Sequence, residues 1–160
     1  MEWINRVGEY RVLLGKRDQL GYPLGELERA RLNELELFFT ACADPTRAPF
    51  VARDQVRAPV TLIVSFSAGQ IGNGWGEARD ISGEGVYIET SQPLPVGAQT
   101  VVRVINRYTG DEWRFAAEVV RLECGDRTGM GLRFVGIPLS MRLGHRTTPP
   151  YLPHDLKHAA

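Results

Sequence analysis

The chain has 160 residues, enough for one domain with a real core and a small appendage, but not for two full domains. Nineteen Lys and Arg balance nineteen Asp and Glu, so no net field favours polyanions. That argues against binding to polymeric nucleic acid or to a membrane surface, and no apolar stretch is long enough for membrane insertion.

The opening segment, MEWINRVGEYRVLLGKRD, carries charges throughout and has no signal-peptide apolar run, which predicts a cytoplasmic protein. Within it Trp3, Val7, Tyr10 and Leu14 recur at steps of four and three, the spacing of one helical face. Gly21-Tyr22-Pro23 interrupts this pattern, and Leu32, Leu35, Phe39 and Cys42 resume it among good helix formers. Residues 1–43 are therefore read as a helical hairpin. Such a hairpin has little interior of its own, so its apolar stripes need cover from the following domain, from a protein partner or from self-association.

Residues 44–59, DPTRAPFVARDQVRAP, hold three prolines and three arginines with little apolar periodicity, and read as a linker. From there the period becomes that of strands. Runs at Thr61 to Phe66, Gly85 to Thr90, Thr100 to Asn106, Glu112 to Leu122 and Met130 to Ile137 are separated by Gly, Asp, Asn or Pro. In the longest run Trp113, Phe115, Ala117 and Val119 alternate with Arg114, Ala116 and Glu118, which predicts one buried face. Residues 108–111 and 125–129 read as hairpin turns. About six short strands that must hide their edges predict a mainly β fold, a six-stranded antiparallel barrel over residues 60–137 behind the two-helix segment.

Ser67 to Gly76, SAGQIGNGWG, has four glycines but matches neither phosphate-binding fingerprint, so it reads as a flexible hairpin loop. Residues 138–160 form a tail without the periodicity of a docked helix. In it His154 and His158 have helical ligand spacing but lie in a Pro-rich stretch, a poor metal site, and no metal is expected. Cys42 and Cys124 lack metal or disulfide spacing and are expected to be reduced and at least partly buried.

Two clusters carry the functional reading. Arg53-Asp54-Gln55-Val56-Arg57 precedes the first strand, and Asp80-Ile81-Ser82-Gly83-Glu84-Gly85 leads into the third. In order and placement they resemble the PilZ signature, R-x-x-x-R followed by D-x-S-x-x-G. The flanking text DISGEGVYIET, PLPVGAQTVVRV and GMGLRF is similar to successive PilZ strands, and the resemblance covers about residues 50–137. It implies a cyclic di-GMP receptor that uses Arg53, Arg57, Asp80, Ser82 and Gly85, with Arg79 and Gly83 as further candidates.

The chemistry suits that ligand. An arginine fork matches the paired O6 and N7 acceptors of guanine and stacks on bases. A carboxylate such as Asp80 accepts from the guanine N1 and N2 edge, Ser82 can meet base or phosphate, and Gly83 and Gly85 would let ligand approach the backbone. Each residue also has a plain structural role open to it: linker charge for the arginines, a turn closure for Asp80 and Ser82, packing for Trp75 and Tyr87 rather than stacking. The resemblance further implies an adaptor in motility, polarity or surface-behaviour control, passing the signal to a protein partner as the ligand orders the linker. A ligand-independent interaction module is the alternative. No nucleophile and base, carboxylate pair or metal constellation suggests a catalytic residue, and no cofactor is expected.

Overall fold

The computed structural model describes residues 2–41, 57–67, 72–106 and 109–142. Two helices, α1 (Glu2–Asp18) and α2 (Glu26–Ala41), precede β1 (Ala58–Ser67), β2 (Asn73–Ile81), β3 (Gly85–Glu89), β4 (Gln99–Ile105), β5 (Asp111–Glu123), β6 (Gly129–Phe134) and β7 (Leu139–Arg142). Cys42, Arg53 and the three histidines lie outside the described residues.

Six strands close antiparallel in the order β4-β1-β2-β3-β6-β5, with β4 pairing β5 to complete the barrel. The expected alternation in β5 holds: Phe115, Ala117 and Val119 are buried, and Trp113 stands half-buried at the barrel's end, its ring 5.9 Å from Phe115. β7 is an addition to the sequence reading. Its four exposed residues pair with Asp111 to Arg114 of β5, and so short a strand carries no periodicity to reveal it.

The glycine-rich stretch also reads differently in three dimensions. β2 begins at Asn73, so Gly74 and Gly76 belong to a strand rather than to the loop. A Cβ at Gly74 would collide with the Phe66 ring, and one at Gly76 with Ile88 and the Glu89 carbonyl. These glycines make room for the core, which is a packing requirement and not a flexible turn. Cys124 likewise departs from expectation, because it is exposed. The last four residues of β5 are exposed, and the cysteine follows them directly in the connection to β6.

Both helices pack onto the barrel's core to give one apolar cluster. Val7 and Tyr10 of the expected α1 face are buried, whereas Trp3 and Leu14 are half-buried and Ile4 and Leu13 take the deeper places. The reason is that α1 is covered on two sides. Toward α2, Trp3 and Tyr10 lie 5.6 and 5.2 Å from the Phe39 ring, while Lys16–Glu28 (2.6 Å) and Arg31–Glu9 (2.7 Å) clasp the hairpin. Toward the barrel, Gly8 and Gly15 bring the helix backbone onto Trp113 and Ile137, where any Cβ would overlap. The Trp113 indole N–H donates to Asn5 Oδ1 at 2.9 Å.

Candidate functional site

The site is set up by an irregularity in β2. Ala78 and Ile81 both face the core, at 1% and 2% exposure, although they are three residues apart. Strict alternation forbids this, and the register shift between Ala78 and Asp80 against β3 supplies the extra residue. Arg79 and Asp80 thereby both reach the surface, where a regular strand would have buried one of them.

Asp80 meets Arg57, the residue immediately before β1. Pro59 pairs with Asp80 across the sheet, and Arg57 Nη1 stands 2.7 Å from Asp80 Oδ1, with both side chains about a third exposed. Arg79 turns away from them. Its guanidinium lies 2.8 Å from Glu89 and 3.0 Å from Glu77, and the hydrogen bond to Glu89 chiefly holds its pKa above the ordinary value.

Ser82 closes the turn that follows. Its N–H donates to the Gly85 carbonyl at 2.9 Å, and its buried hydroxyl oxygen accepts from the N–H groups of Gly85 (3.2 Å) and Glu84 (3.3 Å). Gly83 is buried inside the turn and Glu84 is exposed. At Gly85 a Cβ would run into the Leu132 carbonyl on the neighbouring strand, so the glycine is required by β3–β6 pairing whether or not a ligand approaches. The Phe134 N–H donates to the Glu84 carbonyl at 2.8 Å and ties the turn to the end of β6. The structure thus gathers Arg57, Asp80, Ser82, Gly83 and Gly85 along one edge of the wall, and Arg53 lies outside the described residues.

The wall beside them runs in register from Asp80 through Tyr87 and Gly131 to Arg121. Tyr87 is buried, with the Arg121 guanidinium 5.5 Å from its ring centroid, and burial is the main cause raising its hydroxyl's pKa. Its face is therefore already occupied. Trp75 is 63% exposed but stands five residues before Asp80 on β2, about 16 Å along an extended strand.

Sequence reasoning missed two polar features. Glu112 is fully buried, held by Arg103 Nη2 at 2.7 Å and Arg114 Nε at 2.6 Å. The Arg103 hydrogen bond chiefly keeps its carboxyl below the ordinary value, against the opposing effect of burial. Nothing in the strand pattern distinguished Glu112 from a solvent-facing acid. The second is Arg11 of α1, which donates through Nη2 to the carbonyls of Gly136 (3.0 Å) and Phe134 (3.4 Å). Its place beside the seam residues Val7 and Tyr10 was the available signal.

What this geometry describes is a small closed barrel whose polar motif lies on its outer wall, at the mouth of one turn. The PilZ domain family matches residues 51–145, and the chain belongs to that family. PilZ domains are generally non-catalytic receptors, commonly for cyclic di-GMP. Two solved structures are similar. One is the PilZ domain of CeSA from a cellulose-synthesizing bacterium, 22% identical over 51% of this chain and 82% of that one, with a TM-score of 0.41. The other is the Bacillus subtilis inhibitor of motility MotI/DgrA, 17% identical over 55% of this chain and 44% of that one, with a TM-score of 0.46. A search of curated proteins finds no match. Among the described residues no helix is long and apolar enough to cross a membrane.

Proposed function

We propose that this chain is a cyclic di-GMP receptor that works as an adaptor, with Arg57 and Asp80 as the first contacts of the ligand. The observation that carries this reading is the Arg57–Asp80 pair at the mouth of the Ser82–Gly85 turn. Each partner would offer a guanine what it offers the other in the pair: Arg57 a donor fork for O6 and N7, Asp80 an acceptor for N1 and N2. Opening the pair would cost one ion pair, and a guanine that engages both groups would return a bidentate fork contact to Arg57 and a hydrogen bond from its N1 and N2 edge to Asp80.

Arg53 belongs to the same reading as the first arginine of the motif. Ser82 and Gly85 serve by shaping the turn, with Gly83 at its centre, and Arg79 is less suited because two carboxylates already hold it. The receptor would act in the cytoplasm, where the second messenger is made, and pass its state to a protein partner in motility or surface-behaviour control.

Isothermal titration with cyclic di-GMP on the intact protein and on Arg57→Ala, with GTP and cyclic di-AMP as controls, tests the reading. Selective binding by the unaltered chain that is lost in the variant is expected. Silence at high ligand concentration would leave a ligand-independent interaction module.

A further inference from the structure

Resting on the cyclic di-GMP reading above, we propose that Arg11 of α1 is a positioning residue for the Ser82–Gly85 turn, so that helix docking sets the receptor's affinity. The path is short and made entirely of hydrogen bonds. Arg11 Nη2 donates to the Gly136 and Phe134 carbonyls, the Phe134 N–H donates to the Glu84 carbonyl, and the Glu84 N–H donates to Ser82 Oγ. One residue joins the guanidinium's acceptor to the turn's anchor, because Phe134 receives Arg11 through its carbonyl and holds Glu84 through its N–H.

Three further observations indicate that this contact is more than generic packing. The Arg11 Nε is buried without a hydrogen-bond partner among the described residues, a desolvation cost that an apolar side chain would not incur. Glu84, the acidic residue of the turn, lies within electrostatic reach of the same guanidinium. Gly8 and Gly15, three and four residues to either side, draw the helix backbone onto Trp113 and Ile137, which holds Arg11 at short range over the end of β6.

Coupling between two sites is reciprocal. If Arg11 steadies the turn for the nucleotide, the nucleotide must steady α1 by the same factor. The helices then report ligand through a direct contact with β6, with no need for them to swing on the segment that joins them to β1.

Hydrogen exchange on the intact protein reads the relay without ligand, and cyclic di-GMP titration reads its consequence. Arg11→Met should raise exchange at the Glu84, Gly85 and Phe134 amides by about tenfold, leave the β1 and β4 amides unchanged, and weaken cyclic di-GMP by about fivefold. Arg11→Lys, which keeps the charge and can reach one carbonyl, should recover part of both effects and serves if the methionine variant does not fold. Arg31→Met, which cuts the α1–α2 pair with Glu9 but has no contact with β6, should change neither.

Unaltered exchange at those three amides in Arg11→Met overturns the proposal. So does an equal effect from Arg31→Met, which would reduce it to a general loosening of the hairpin. If the unaltered protein binds no cyclic di-GMP, the receptor reading falls and the exchange comparison still decides the role of Arg11.

Discussion

Gly85 separates two explanations of a motif glycine: room for a ligand, or room for a neighbouring strand. A Cβ added there would stand 2.2 Å from the Leu132 carbonyl oxygen, with the Leu132 carbonyl carbon and the Arg133 Cα close behind it. All three obstacles are backbone atoms in the β3–β6 ladder, so no side chain can swing aside. An ordinary carbon–oxygen contact requires the strands to part by about 1 Å, which distorts the pairing of Gly85 with Arg133 and of Val86 with Leu132. Overpacking of this kind costs about 3 kcal/mol, and for a chain of this size that lowers Tm by about 6–12 °C. The assay is thermal unfolding of Gly85→Ala followed by circular dichroism, with cyclic di-GMP titration on the same preparation well below its Tm. A variant that melts within about 1 °C of the parent yet binds no nucleotide would refute the packing argument and return Gly85 to the ligand.

Glu112→Gln should lower stability near neutral pH by about 2 kcal/mol, the worth of a hydrogen bond to a charged group, because two partly exposed arginines lose the carboxylate they share. Glu112's folded pKa lies below its unfolded value, so its contribution is present above that unfolded value and is lost as pH falls through the folded one. Tm measured against pH should accordingly decline less for Glu112→Gln than for the parent as the solution is acidified below about pH 4.5. Gly15→Leu should lift α1 from Ile137, and in a chain whose other indoles, Trp3 and Trp75, are replaced by phenylalanine the Trp113 emission should shift to the red. An unshifted spectrum would mean that the helix accommodates the larger residue in place. Trp75→Ala should change stability by less than about 0.5 kcal/mol and leave cyclic di-GMP titration unaltered, since the ring is largely exposed and stands well away from Asp80 along β2. Weaker binding would bring Trp75 back into the site.

The barrel was legible wherever one face of a strand meets the core and the other meets water, as Phe115, Ala117 and Val119 illustrate. Reading failed where that rule is suspended. Gly74 and Gly76 are strand residues whose missing side chains are the point, and composition alone cannot distinguish them from loop glycines. Ala78 and Ile81 share a face only because of a bulge, which depends on how β2 is paired with β3 and not on the residue pattern of β2 itself. At the site, the motif residues stand out in the sequence by their order, but what the fold does with each of them does not. The sequence cannot show that the Ser82 hydroxyl is engaged by its own turn, or that Arg57 and Asp80 pair with each other. Glu112 was invisible for a related reason: its burial is produced by two arginines, one of them on another strand.

The contact of Gly8 and Gly15 with Trp113 and Ile137 bears on how the molecule can be divided. The family match begins at residue 51, which suggests a natural place to cut. A fragment starting there would carry Trp113 and Ile137 without their lid, and the Phe134 and Gly136 carbonyls without the guanidinium that answers them. Its boundary would run through the middle of one apolar cluster rather than between two. The unit that folds is thus larger than the unit that is recognised by resemblance, and the helices belong to the barrel as its end wall.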